Sequence, residues 1–332
     1  MPEAQPELTN DSSEALAKAA LLDDPFPLQV LVASGSPAES LDALFDLGLL
    51  EEAEPGEACF VSQAARERAA ASLAWSKKRK LCKSLAQTCL SLAADPDLVA
   101  RLFLAAQEHA LAREQFLKSA EADCHRKRFR EALRSLRSAF EIWPINEQPE
   151  LRRRTLREMA RCARNCSDHH AARLALEELL EMAELEGDIP QRLELSHQLA
   201  QSANALGDRL QSRERLQAAA ELAASEQLLP QSARLWRTLA QSQGDALRLR
   251  EALAALDRAR SAAEQCQDWA ILSASLSYAA MLTAMLGRIG EAQTQLDRAL
   301  QLAIEHDLAE QITNAYRRQA NVNEYASNYE AY

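Results

Sequence analysis

The chain has 332 residues, enough for two or three domains or for one long repeat array. Its 8 glycines and its 7 Phe, 5 Tyr and 4 Trp sit in a sequence that is 47% hydrophobic, so Ala and Leu carry the apolar content. That balance argues against sandwiches, barrels and doubly wound sheets and points to helices. With 38 Lys+Arg against 49 Asp+Glu the formal net charge is −11, which argues against bulk attraction to nucleic acid or anionic membrane and leaves room only for a local basic patch. No apolar run of about 18 residues occurs, and the first ten residues are polar with two prolines, so the sequence predicts neither a spanning helix nor a secretory signal and reads as cytoplasmic. Seven scattered cysteines, at 59, 82, 89, 124, 162, 166 and 266, fit reduced thiols better than a disulfide framework.

Residues 1–14 read as a disordered N-terminus. Residues 15–94 predict a small module: a helix, an interruption at Pro25 and Pro27, a second short helix, and a third opened by Ser36 and Pro37. Leu49-Leu50-Glu51 and Cys59-Phe60-Val61 read as the two arms of a hairpin across Glu54-Pro55-Gly56-Glu57, followed by helices over Gln63–Ala74 and Ser76–Ala94. Helices flanking a two-stranded wing suggest a winged-helix module. Its basic residues, Arg66, Arg68, Lys77 to Lys80 and Lys83, lack interleaved aromatics and read as a solvated helix surface, so a nucleic-acid partner is not favoured.

From residue 95 onward the sequence repeats with a period of 40. Small residues recur at Ala120, Ala160, Ala200, Ala240, Ala280 and Ala320, followed by columns at Ala132, Ala172, Ser212, Ala252 and Ala292, at Leu136, Leu176, Leu216, Leu256 and Leu296, and at Ala139, Leu179, Ala219, Ala259 and Ala299. Small residues let paired helices approach to about 8–10 Å between axes while the Leu column fills the seam. Gly207-Asp208, Gly287 and Gly290 fall between paired helices, and Pro144, Pro149, Pro190 and Pro230 fall between units. Each unit is therefore a helix hairpin that must stack on its neighbours. Ser212 and Leu179 break the small-residue columns and predict looser packing there. The last unit is incomplete, and residues 308–324 read as a capping helix or as the front of a longer array.

These columns, with LSYAAMLTAMLGRIGEAQTQLDRALQLA (276–303) and FLKSAEADCHRKRFREALRSLRSAFEI (116–142), resemble the tetratricopeptide repeat, whose eighth, twentieth and twenty-seventh positions are small. The period is longer than that family's usual 34. Over residues 107–332 the resemblance implies an all-α superhelix, an α-solenoid of TPR-like hairpins. The module ahead of it carries Gly48-Leu49-Leu50, Phe60, Arg66-Glu67 and Lys77-Lys78-Arg79-Lys80-Leu81, followed by DPDLVARLFLAAQ at 95–107. It resembles the winged-helix domain that joins the nucleotide-binding core to the helical sensor in STAND-class regulators, the maltose-activator-like and large LuxR-type proteins. Where that family often has His-Asp, this chain has Ser62-Gln63, and no GxxxxGK phosphate loop followed by Ser or Thr is present. The resemblance then implies an ATPase core that is a separate or fused partner, or one that has been lost.

In the repeat family the second, fifth, ninth and twelfth positions of each first helix line the inner groove. The resemblance places Arg154, Arg157, Arg161 and Arg164 there in one unit, Glu194, His197, Gln201 and Asn204 in the next, Arg234, Arg237, Gln241 and Gly244 after that, and then Ala274, Ser277, Met281 and Ala284. The four arginines share one helix face opposite Leu156, Met159, Ala160 and Ala163, and suit carboxylates or phosphates unless Glu177, Glu178 and Glu181 of the partner helix neutralise them. Cys162 and Cys166 with His169 and His170 are the only metal-like cluster, but the histidines lie across a turn, so the thiols read as packed against Ala163 and no metal or cofactor is expected. No Ser elbow or triad spacing appears, so no enzyme is expected. The reading is a protein- or effector-binding scaffold with an acidic peptide or protein in its groove. The alternatives are the sensor array of a multidomain kinase, cyclase or ATPase, and a nucleic-acid-binding regulator acting through residues 15–94.

Overall fold

The computed structural model describes residues 8–144 and 147–330, and the described chain is overwhelmingly helical. It forms two compact units, residues 1–166 and 167–332.

The first unit opens with α1 (Asn10–Ala20), β1 (Phe26–Pro27), α2 (Leu28–Ala33), α3 (Ala38–Asp46), β2 (Leu50–Glu54), β3 (Glu57–Phe60) and α4 (Gln63–Ala71). Helix α1 starts inside the segment expected to be disordered, because the Thr9 hydroxyl accepts from the Ser12 amide and caps it; residues 1–7 lie outside the described residues. Strands β2 and β3 pair antiparallel across Pro55-Gly56, with Gly56 at positive φ. The sequence reading missed β1, which pairs with the far edge of β3 to give the sheet order β1-β3-β2. Two residues around prolines, at 25 and 27, carry almost no strand signal of their own.

Helices α5 (Trp75–Ser91), α6 (Pro96–Ala105), α7 (His109–His125), α8 (Phe129–Glu141) and α9 (Pro149–Asn165) complete this unit. Packing does not break at residue 94: one hydrophobic core runs from Ala15 and Phe26 through Leu85 and Cys89 to Phe103 and Phe116. The module's basic residues help to hold it there. Arg66 donates to the Leu22 carbonyl at 2.6 Å, Arg79 to the Ala106 carbonyl at the end of α6 at 2.8 Å, and Lys83 pairs with Glu108 at 2.6 Å. Arg101 on α6 clamps Asp23, and its guanidinium holds that carboxyl below the usual carboxylate range. Lys77, Lys78 and Lys80 are exposed.

The second unit contains α10 (His169–Glu186), α11 (Ile189–Ala205), α12 (Arg209–Ser225), α13 (Leu229–Asp245), α14 (Leu249–Gln265), α15 (Trp269–Met285), α16 (Ile289–Glu305) and α17 (Ala309–Glu330). Successive helices pack on one another throughout it, and α17 covers both α15 and α16. At 22 residues it is longer than the helices before it in this unit.

Helix starts recur at 20-residue intervals from His109 onward, and a recurring backbone closure marks the turns between them. Left-handed residues stand at Gln107, Lys127, Ser167, Gly187, Gly207, Gln227, Leu247, Gln267, Gly287 and Asp307. At nine turns the next amide donates back to the carbonyl five residues earlier, as in Arg128 to Asp123 and Leu308 to Ala303, both at 2.8 Å. This is the Schellman closure, and it satisfies carbonyls that the helix end leaves unpaired. Asp168, Asp188, Asp208 and Asp268 follow four of these residues and cap the next helix by accepting from the amide three residues on. Pro149, Pro190 and Pro230 occupy the first positions of their helices, where a missing N–H costs nothing.

The small-residue columns are the seam. Ala132, Ala172, Ala252, Ala292, Ala139, Ala259 and Ala299 are all fully buried, and the Leu column is buried with them. Ser212 and Leu179, expected to loosen the packing, are as buried as their column neighbours, at 2% and 1% exposed. Ala320 keeps the register but is exposed, since no later helix lies against it among the described residues.

Ala252→Leu should therefore overpack the seam and cost about 1–3 kcal/mol, while Ala320→Leu in the same repeat register should stay within about 0.5 kcal/mol, as read by urea unfolding. Leu247 is exposed and held at φ 57°, so Leu247→Gly should raise stability by about 0.5–1 kcal/mol in the same assay.

Candidate functional site

A cleft lies between consecutive first helices in each unit. In the first unit it opens between α7 and α9 with a volume of about 520 Å³. Its apolar lining is Leu117, Ala120, Leu136 and Leu151, and its polar lining is Glu121, His125, Arg154, Thr155, Glu158 and Arg161, with the Cys124 thiol among them. Helix periodicity explains the arrangement: positions 151, 154, 155, 158 and 161 lie on one face of α9 while Leu156, Ala160 and Ala163 face the core.

All four predicted arginines of α9 are exposed, but only Arg154 and Arg161 belong to the cleft lining. Arg161 makes a two-pronged contact with Glu158 at 2.6 and 2.9 Å, so its neutralising carboxylate comes from its own helix. Glu177 instead faces Arg173 and Arg215, each at 3.8 Å. Both partners of the Arg161–Glu158 pair are half exposed, where such pairs are worth about 0.2–1 kcal/mol and yield readily to a competing carboxylate. Arg154 has no ion pair among the described residues. The wall is thus mixed in charge, with Glu121 and Glu158 beside the arginines, and differs from the purely basic stripe that the spacing of arginines alone suggests.

Cys162 does not pair with Cys166. Its sulfur lies 3.2 Å from that of Cys124, while Cys166 donates to the Ala163 carbonyl at 3.5 Å. Among the described residues no group of three or more His, Cys, Asp or Glu is placed to hold a metal ion.

In the second unit a smaller cleft of about 220 Å³ lies between α11 and α13, lined by Pro190, Leu193, Glu194, His197, Gln231, Arg234 and Leu235. It brings together three predicted residues, Glu194, His197 and Arg234, with Glu194 at 3.4 Å from Arg234. Gln201 lies 3.3 Å from the Nε2 atom of His197. Burial pushes the His197 pKa below its ordinary value, Arg234 pushes the same way, and Glu194 opposes them. Gln201 and Asn204 are exposed on α11 outside this lining.

The remaining predicted positions are not open. Arg237 is partly withdrawn from solvent, and burial lowers its pKa against the pull of Glu310 on α17. Gly244, Ser277 and Ala284 are buried: a Cβ at 244 would collide with the Tyr278 hydroxyl, and Arg318 of α17 stacks 4.6 Å over the Tyr278 ring and reaches the Met281 sulfur at 2.6 Å. Helix α17 thus fills the space that the repeat pattern assigns to a groove. Sequence reasoning passed over Glu121, His125 and Glu158, whose only signal was their place on the same faces as the predicted arginines and Ala120.

No family model matches the chain, and no curated protein matches it. Among solved structures it is similar to a signal transduction ATPase with numerous domains (STAND) carrying a tetratricopeptide repeat sensor, from Pyrococcus horikoshii. The TM-score is 0.51 at 12% identity, over 98% of this chain and 64% of that one. This chain therefore spans less than two thirds of that protein's length. It is also similar to BtubC from P. vanneervenii, with TM-score 0.47 and 16% identity over 71% of this chain and 94% of that one. The apo form of RapI gives TM-score 0.49 and 12% identity over 65% and 85% of the respective chains. The likeness to the STAND protein shows the fold: this is an all-α helical repeat of tetratricopeptide type.

His197 gives the second cleft a measurable pH response. Its folded pKa lies below the unfolded value of about 6.5, so the unfolded chain binds its proton first and stability falls as pH drops through that range. His197→Gln should lose less stability than the native chain between about pH 7.5 and 5.5 in urea unfolding; equal losses would mean that His197 titrates like a free histidine.

Proposed function

We propose that the chain is the non-enzymatic sensing and interaction part of a cytoplasmic STAND-type regulator, and that it receives an acidic segment of a partner protein or peptide in the cleft between α7 and α9. The observation that carries this reading is Arg154: an exposed guanidinium with no ion pair among the described residues, on the wall of a cleft with an apolar floor. A carboxylate there would gain a charge-assisted hydrogen bond, and Arg161 could exchange its weak contact with Glu158 for a second. The likeness to the STAND protein with its repeat sensor, and the residues 48–50, 60, 66–67 and 77–81 that resemble its class, support the setting.

In this reading residues 15–94 are a winged-helix module, supported by the sheet order β1-β3-β2 with α2 and α3 inserted between β1 and β2. Its chemistry favours protein over nucleic acid. Glu39, Asp42 and Asp46 on α3 and Glu51, Glu52 and Glu54 on the hairpin are exposed carboxylates that repel phosphates. Arg66, Arg79 and Lys83 are already engaged within the unit. No described helix is long and apolar enough to cross a membrane.

Peptides selected from a random library on the immobilised chain should be enriched in Asp and Glu, and calorimetry on the tightest should show affinity that falls with salt. Arg154→Glu should weaken binding at least tenfold, while Arg288→Glu, on the turn before α16, should leave it unchanged. Unbiased peptides, or equal binding by the two variants, would remove the acidic ligand from the cleft.

A further inference from the structure

Cys124 on α7 and Cys162 on α9 are 38 residues apart in sequence, yet their sulfurs stand 3.2 Å from each other, both as free thiols. The other cysteines have different surroundings. Cys59 faces Glu51, Cys166 and Cys266 donate to the Ala163 and Ala263 carbonyls, and Cys82 and Cys89 are buried in the core around α5. The two sulfurs of the pair also differ from each other: Cys162 is fully buried, whereas Cys124 is half-buried and lines the cleft between α7 and α9.

We propose that Cys124 and Cys162 form a redox modification site, in which hydrogen peroxide converts the two thiols to a disulfide that ties α7 to α9 beside the cleft. The Cys124 thiolate attacks one peroxide oxygen; an S–O bond forms, the O–O bond breaks, and the departing hydroxide takes a proton and leaves as water. The sulfur of Cys162 then attacks the sulfenic sulfur of Cys124. An S–S bond forms, the S–O bond breaks, and the departing hydroxide carries off the Cys162 proton as a second water. In sum two thiols lose two electrons and two protons, hydrogen peroxide is reduced to two waters, and a dithiol reductant reverses the change.

Exposure assigns the two roles. Cys124 opens on the cleft through which a peroxide arrives, and Arg161 lines the same cleft. Cys162 is sealed, and burial together with the contact to Cys124 pushes its thiol up to about 12, so it stays protonated while peroxide reacts at Cys124. Closing from 3.2 Å to a bond of about 2.05 Å asks for a small adjustment of two side chains, and α7 and α9 are separated by the open cleft that permits it. The site stands independently of the acidic-ligand reading, since it rests on the sulfur pair alone.

The test uses the full chain, reduced and folded, exposed to hydrogen peroxide, then alkylated and mapped by peptide mass spectrometry. The expected result is a linked pair of peptides carrying Cys124 and Cys162, with titratable thiols falling from seven to five and returning on treatment with dithiothreitol. Cys162→Ser should stop at a sulfenic acid on Cys124 that a dimedone probe labels, Cys124→Ser should give neither link nor label at Cys162, and Cys166→Ser should leave the link intact. A native chain that keeps seven thiols, or that links a different pair, overturns the proposal. So does dimedone labelling of Cys162 in Cys124→Ser.

Discussion

Close approach of helices through small side chains is the constraint on which the rest of this molecule depends. A fully buried alanine at Ala132, Ala172, Ala252 or Ala292 brings the backbones of neighbouring helices together, and the Leu column four residues on fills what the alanines leave open. No single hairpin buries enough surface alone, so every helix is held by the next one in its unit. That is why few large side chains are needed: the second unit's main core is built from alanine and leucine around Trp236 and Tyr278.

The repeat was legible because it is written in residue size at fixed spacing, and size is what the packing selects. The turns were less legible. The same left-handed conformation is taken by Gly187, Gly207 and Gly287 but also by Gln107, Gln227, Leu247 and Gln267, which carry no turn signal of their own. There the conformation is imposed by the next helix docking on the seam, with the Schellman bonds offsetting the steric cost. Strand β1 went unseen for a similar reason: Phe26 and Pro27 become a strand because β3 presents an edge, not because of local preference.

The candidate site divides in the same way. Arg154, Arg161, His197 and Arg234 could be placed from register alone, because helix faces follow from sequence. Three things escaped: Glu158 as the partner of Arg161, the meeting of Cys124 with Cys162, and the filling of the groove at Tyr278 and Met281 by Arg318 of α17. Glu158 lies three residues from Arg161, and its role turned on which of two carboxylate sources was nearer. The other two are contacts between residues 37 or more apart, set by where helices come to rest. The basic residues Arg66, Arg79 and Lys83 show the opposite lesson, since charge suggestive of a surface patch serves to fasten one helix to another.

If the seam and its turns govern the structure, local opening must follow their spacing. Amide hydrogen exchange of the full chain, resolved to short peptides, is the direct measurement. The account predicts slow exchange through the buried columns of α7–α16 and maxima of uptake at the turns near 127, 187, 207, 227, 247, 267 and 287, a 20-residue rhythm in protection. Exchange without that rhythm, or uniformly fast through the alanine columns, would contradict it.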